Sequence, residues 1–563
     1  MVAFVSFLDD APTEGSTGSG GEPADAPTAA TPAQLSEPVT TATSDPAGGL
    51  ALIDRAHTMV FASDREQTAA NAALVALYLR TPLVLVPDRA TSSTSPTDPA
   101  SEPRGRDGSE AAAEHADAAQ AARRRGVVRA IVVGEGADAV ARDSGARDLV
   151  RVPADQSSQA DARAVIAAAA ESDQAPTPPD AAATSAASAA PEPDAMAELA
   201  RYRLPAPPAS DAALLVRPRA AEALAAVVSA RAVGHAVLTT RADDLRADPE
   251  IGTRLARLGT DDAPPPLLLA GDAFADSDPD AIEAHAAVAM TGIELPGGGQ
   301  LIFDPQRQAG RRYVGLYGVP RTPALGALGE QSVDRSVKRA QRLAREYRDV
   351  VEDDVDIIPC FEIIATVASS SAGDDRDFSN ELPVADLREA VDAAGEAGIY
   401  VLLDLQPGRT DFVTQARHYR SLLREPHVGL ALDPEWRLRP GERHLEQIGS
   451  VDIDEVNEVS EWLADLVERY RLPQKMFLLH QFRLSMLDGR EDLDASRDEL
   501  AHVIQMDGQG PQSTKLETWR SVTADPPDGV QFGWKNFYDE DTPTRSPADT
   551  MALDPPPVFV SYQ

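Results

Sequence analysis

The second half of this 563-residue chain places polar residues in pairs at or just past the ends of short apolar runs. In order they read Asp404-Leu-Gln406, Asp433-Pro-Glu435-Trp436, His480-Gln481, Gln505-Met-Asp507-Gly-Gln509, Lys535-Asn536 with Tyr538, and Ser561-Tyr562-Gln563. Two of these carboxylates across a shared cleft would suit glycoside hydrolysis, one acting as acid and the other as base or nucleophile. Glu435 is the expected acid, because Pro434 and Trp436 beside it would desolvate the carboxyl and raise its pKa. Asp433, Asp507 and Asp404 compete for the partner role. Trp436, Trp534, Tyr317 and Tyr538 are candidates to stack on sugar faces, against the plainer reading of packing at a rim. Glu362 lies inside an apolar run (PCFEIIA) and needs a charged partner, for which Lys535 is the candidate. The plain alternative for each strand-end acid is a helix N-cap. His480 is a lone histidine with no His-x-His after the first run, so neither a metal nor another cofactor is expected. A carboxylate-rich site could still hold Mg2+ or Ca2+ through oxygens.

The spacing of the runs predicts what positions these residues. Tyr313–Tyr317, Ile357–Ala365, Tyr400–Leu405, Val428–Leu432, Met476–Gln481, His502–Met506, Val530–Trp534 and Val558–Tyr562 are strand-length and apolar. Amphipathic helices are expected between several, at Ser332–Tyr347, Leu387–Ala397 and Asp454–Arg469. Eight strands alternating with helices in this length predict a (β/α)8 barrel over 276–563, with an open doubly wound sheet as the alternative. The chain stops at the eighth strand, so the helix expected at Asp280–Met290 could cover that gap. Glu294–Phe303, with three glycines, reads as a hairpin able to plug the barrel floor. In such a barrel the site forms where the βα loops converge, and pairs two residues apart point to one side of a strand. Glu362, Gln406, Trp436, His480, Gln481, Gln505, Gln509, Lys535, Tyr538 and Tyr317 are therefore candidate binding residues around the four acids.

The first half reads as a parallel α/β layered domain over 50–275 made of two related β-α-β units. One runs from Thr58 through a helix at Arg65–Leu79 to Pro82–Pro87 and then Ala130–Gly134; the other runs from Ala213 through Ala220–Arg231 to His235–Thr239 and then Pro266–Ala270. Residues 1–49 are expected to be a disordered tail, and 89–118 and 154–195 disordered insertions, since they hold too little apolar surface to offset ordering entropy. Gly134-Glu-Gly136 lacks the third glycine of a dinucleotide fingerprint, and no phosphate loop or nucleophile elbow occurs. With 52 Lys+Arg against 90 Asp+Glu the formal charge is −38, which disfavours nucleic acid and anionic membrane surfaces as partners. The single cysteine, Cys360, allows neither an internal disulfide nor a cysteine zinc site. No stretch of 18 apolar residues is present, so no membrane-spanning segment is expected. Met1–Leu8 is apolar, short, and without the basic start of a signal peptide; it could be the end of one that begins upstream.

Two resemblances rest on these residues. FASDREQTAANAALVALYLRTPLVLVP together with AIVVGEGADAV resembles the type-2 cell wall-binding repeat of exported Gram-positive proteins, with Gly134-Glu-Gly136 in place of that repeat's glycine pair. The second half, with YVGLYGVPRTPALGALGEQ, LLDLQPGRTDF, LALDPEW, MDGQG and GWKNFYDEDTP, resembles a group of actinobacterial exported or lipoprotein-like proteins for which no activity is established. Asp433-Pro-Glu435 also resembles the last acids of chitinase-type barrels, whose full D-x-x-D-x-D-x-E is absent. The resemblances imply an extracellular or envelope-associated protein whose partner is a glycan or cell-wall polymer. The expected activity is glycan hydrolysis; a non-catalytic carbohydrate-binding barrel and an intracellular enzyme on a small substrate are the alternatives. Oligomeric state is not legible.

Overall fold

A computed structural model describes residues 29–35, 38–42, 48–88, 108–152, 199–218, 223–304 and 310–563. The described residues fall into two compact units, one drawn mainly from segments 42–210 and 219–236, the other from 35–41, 211–218 and 237–563. The expected insertion at 154–195 lies outside the described residues.

The first unit carries a four-stranded parallel sheet in the order Leu83–Val86, Thr58–Ser63, Arg129–Val133, Asp148–Val152. Thr58–Ser63 is buried along its whole length, which explains its near-continuous apolar run. The expected insertion 89–118 ends early: a helix runs over Gly108–Arg124.

The strands of the second expected unit form a sheet of their own. Ala213–Val216, Ala236–Thr239 and Leu267–Ala270 make a separate four-stranded sheet in the order Val39–Ala42, Leu267–Ala270, Ala213–Val216, Ala236–Thr239. Val39–Ala42 lies in the stretch expected as a tail, and the Leu267 amide donates to Pro38 O at 2.7 Å. Helix Leu224–Ala232 is buried at almost every position and belongs to the first unit. A helix that is apolar nearly all round must be covered on all sides.

The barrel closes as expected. Arg311–Gly318, Asp356–Ala368, Tyr400–Leu405, Val428–Leu432, Lys475–His480, Leu500–Met506, Gln531–Asn536 and Phe559–Tyr562 are all parallel, and the eighth strand pairs with the first. Helix Ile453–Tyr470 shows why the pattern was legible. It buries Ile453, Val456, Val459, Ser460, Leu463, Ala464 and Val467, and Asp452 caps it by accepting from the Asp454 amide.

The barrel floor is apolar. Tyr313, Ile358, Cys360, Tyr400, Leu402, Ala431, Met476, Leu478, Val503 and Phe559 face inward and pack with Leu295 and Ile302 of the glycine-rich turn. That turn plugs the floor, although as a loop rather than a strand hairpin. Gly297, Gly298 and Gly299 take φ of 85°, 84° and 73°, and Arg311 anchors the turn by donating to Gly298 O at 2.6 Å and Leu301 O at 3.0 Å.

Helix Pro279–Ala289 does not fill the place of an eighth helix. Its His285 bonds Asp498 Oδ2 at 2.6 Å, just before the sixth strand begins. Polar anchors decide its position: Arg246, nearly fully buried, pairs with Asp244 at 2.7 Å and Asp498 at 3.3 Å, and His285 completes that network. The eighth strand is covered instead from the first barrel helix, Val333–Arg348, whose Tyr347 hydroxyl lies 2.7 Å from that of Tyr562. No helix among the described residues is long and apolar enough to cross a membrane.

Candidate active site

Inward positions alternate along each strand, so two residues above the floor the same strands present Tyr317, Glu362, Asp404, Asp433, His480, Gln505, Lys535 and Ser561. All eight are buried. Gly533 is the inward residue below Lys535, and a Cβ there would lie 3.3 Å from Gln505 Cβ, so its missing side chain makes room for Gln505. The acids on strand ends are not helix caps. Capping falls to Asp411, Asp452 and Ser546, which accept from Thr414, Asp454 and Asp549 amides.

His480 is the hub. Its Nδ1 lies 2.8 Å from Asp507 Oδ2, while Nε2 lies 2.9 Å from Glu362 Oε1 and 3.7 Å from Asp404 Oδ1. The Nε2 contact is a close charge contact without the alignment of a hydrogen bond. Burial alone would push the imidazole down, but Asp433, Asp404 and Asp507 together push it well up, so it is held as the imidazolium. The partner expected for Glu362 is therefore corrected. Lys535 Nζ rests 3.2 Å from the centre of the Tyr317 ring, and the group that meets Glu362 is His480.

Tyr317 and Gln406 complete the wall. The Tyr317 hydroxyl donates to Asp404 Oδ2 at 2.9 Å, and Gln406 Nε2 donates to that hydroxyl at 3.1 Å. Gln406 is itself fixed by the Ala368 amide and by Thr366, whose Oγ1 accepts from the Gln406 amide at 2.7 Å. Burial, then Asp404, Asp433 and Glu362, hold the Tyr317 phenol well above its ordinary pKa, so it stays a donor. Gln505 donates to Ser561 Oγ at 2.8 Å. Ser561 was not singled out as a binding residue, although its place two residues beyond inward Phe559 and opposite Lys535 was a readable signal.

Glu435 lies on the rim, in a short 3-10 turn over Pro434–Trp436. The turn is fixed by a Gly449 amide donating to Glu435 O at 2.8 Å and by Arg437 paired with Glu455 at 3.1 Å. Burial, then the charge of Asp507, push Glu435 up to about 7, against the pull of Lys535 and His480. Asp404 is pushed up to about 6, first by burial and then by Glu362, with His480 opposing. Burial and the neighbouring acids Glu435, Asp404 and Asp507 push Asp433 well up despite His480.

Several expected residues go elsewhere. The two-residue periodicity fails beyond strand ends at Leu432 and Met506, because side chains alternate only while the backbone stays extended. Gln509 is accordingly exposed on a loop. Gln481 turns away from the mouth, accepting from Arg490 at 3.0 Å and donating to Leu484 O at 3.3 Å. Tyr538 is 41% exposed and packs on Tyr562 and Arg339, outside the barrel. Trp534 also faces outward, against Trp519 at 5.6 Å, and cannot meet a sugar. Trp436 stays on the rim edge-on to His444, its indole N–H buried without a protein partner.

Asp433, His480 and Asp507 each offer an atom within 4.8 Å of the others, a spacing three ligands of one ion can adopt. Against that, both His480 nitrogens face carboxylates, the arrangement of an imidazolium rather than a ligand. Of the other acidic groupings among the described residues, Asp244, His285 and Asp498 already enclose the Arg246 guanidinium. Both oxygens of Glu362 and one each of Asp404, Asp433 and Asp507 are buried with no protein hydrogen bond.

No family model matches the chain, and no curated protein matches it. A solved structure similar to it is a GH5-4 broad specificity endoglucanase from Clostridium longisporum, 13% identical, with the match covering 36% of this chain and 71% of that one at a TM-score of 0.21. A likeness of that extent speaks for neither substrate nor mechanism.

Proposed function

We propose that the barrel binds a glycan at its mouth and hydrolyses it, with Glu435 as general acid and Asp507 as base or nucleophile. The observation that carries this reading is the contrast between the two carboxyls. Glu435, pushed up to about 7, keeps a proton to give to a leaving oxygen near neutral pH. Asp507 has one oxygen held by His480 at 2.8 Å and the other without a protein partner. A carboxylate oriented through one oxygen and free at the other can attack a sugar carbon or draw a proton from water. Asp404, Asp433, Glu362, Gln406 and Gln505 would take sugar hydroxyls, with Tyr317 and Lys535 fixing the wall. The sequence resemblance of Phe61–Pro87 and Ala130–Val140 to cell wall-binding repeats is the ground for choosing an envelope or extracellular polysaccharide.

The test is to incubate the intact protein with a panel of bacterial and plant polysaccharides and measure released reducing ends. Glu435→Gln should bind the same glycan and release no more than about one-hundredth of the product, the size expected when a general acid is lost. Equal release by both proteins would reject the assignment. Binding by both with product from neither would favour a non-catalytic carbohydrate-binding barrel.

A further inference from the structure

With its carboxyls ionised, the mouth of the barrel has more acceptors than donors. Glu362, Asp404, Asp433, Glu435 and Asp507 share it with two cations, His480 and Lys535. Both cations are already engaged. Lys535 lies over the Tyr317 ring at 3.2 Å, and His480 has a carboxylate against each ring nitrogen. The buried atoms left without a protein hydrogen bond include five carboxylate oxygens, on Glu362, Asp404, Asp433 and Asp507, of which Glu362 Oε1 has only its unaligned charge contact with His480. These side chains are between 0% and 7% exposed, so bulk water does not serve them freely.

A sugar hydroxyl brings one donor and two lone pairs, so a neutral sugar returns more acceptors than donors to such a surface. An ammonium brings three donors, no acceptor and a positive charge. Deepening the glycan reading, on which it rests, we propose that the sugar taken at this mouth carries a free amino group, a de-N-acetylated hexosamine bound as its ammonium among Glu362, Asp404 and Asp433. The raised carboxyls fit this occupant: Asp404, up to about 6 through burial and Glu362, would ionise fully once a cation sits beside it. An N-acetyl group at the same place loses the charge and two of the donors, and sets a carbonyl oxygen against carboxylates.

Isothermal titration on the full chain tests this with glucosamine and galactosamine disaccharides, their N-acetylated counterparts, cellobiose, and Mg2+, Ca2+, Mn2+ and Zn2+ salts. The amine disaccharides should bind at least about tenfold more tightly than the acetylated ones, as expected for a charge-assisted contact in a buried site. Since the chain carries a net charge of −38, unspecific attraction of amines is separated by Asp433→Asn and Glu362→Gln, each of which should erase the preference while melting as a folded protein. A preference that survives both substitutions, or acetylated or neutral sugars binding as well as amines, overturns the inference and leaves the glycan reading standing. Stoichiometric binding of a divalent cation that the amine cannot displace also overturns it, assigning the acceptors to a metal. If no glycan of any kind binds, both readings fall.

Discussion

The floor and the mouth of the barrel are built by the same strands, one inward position apart. Cys360 gives way to Glu362, Leu402 to Asp404, Ala431 to Asp433, Leu478 to His480, Val503 to Gln505 and Phe559 to Ser561. Below that step the inward side chains form a hydrophobic cluster closed by Leu295 and Ile302; above it nearly every group is polar and several are unsatisfied. The contrast separates two jobs that a single backbone does. The floor supplies stability and holds the strands still, while the mouth gives up stability by burying like charges at fixed positions.

Substitutions on either side of the step should therefore act oppositely. The largest effect is kinetic. Asp507→Asn should lower glycan turnover by about 10²- to 10⁴-fold with little change in melting temperature; a large loss of stability with turnover per folded molecule intact would place Asp507 on the structural side. Next, Leu402→Ala on the floor should cost about 2–5 kcal/mol in denaturant unfolding and leave the activity of the folded fraction near normal. Two residues above it, Asp404→Asn should raise the melting temperature by a few degrees, about what 1 kcal/mol gives, because it removes one of several crowded charges yet can still accept from Tyr317. A fall comparable to that of Leu402→Ala would erase the distinction between the layers.

The smallest effect is the pH dependence of stability. Asp404 and Glu435 have folded-state pKa values raised to about 6 and about 7, so between pH 4 and 7 the folded chain holds protons that the unfolded chain has released. Their contribution is a destabilisation, absent below the unfolded values and complete above the folded ones. His480, raised as well, adds stability that is present below its unfolded value and lost as pH rises through its folded value. All three act in the same direction. The barrel's unfolding midpoint should fall from pH 5 to pH 7.5, and more shallowly in Asp404→Asn; a midpoint that rises over that range would contradict the buried-carboxylate description.

What the sequence made legible follows the same division. Apolar runs and helical periodicity are local signals, so the eight barrel strands and helices such as Ile453–Tyr470 could be read directly. Alternation within a strand put Asp404, His480, Gln505 and Lys535 in the mouth. It carried no information past the strand end, which is why Gln509 and Tyr538 were misplaced and Gln481 was counted among residues it does not join. Partnership across the barrel was also hidden. Lys535 and Glu362 are opposite in sign, but the register that brings His480 to Glu362 is a property of closure, not of spacing.

The most direct test of the account is the pH–rate profile for glycan hydrolysis by the wild-type chain and by Glu435→Gln. A protonated Glu435 at the rim requires the wild-type rate to fall as pH rises through about 7, and the variant to lose both the rate and that limb. A wild-type rate that climbs through pH 7, or a variant that keeps the limb, would show that the proton donor is not Glu435 and that the carboxylates of this mouth do other work.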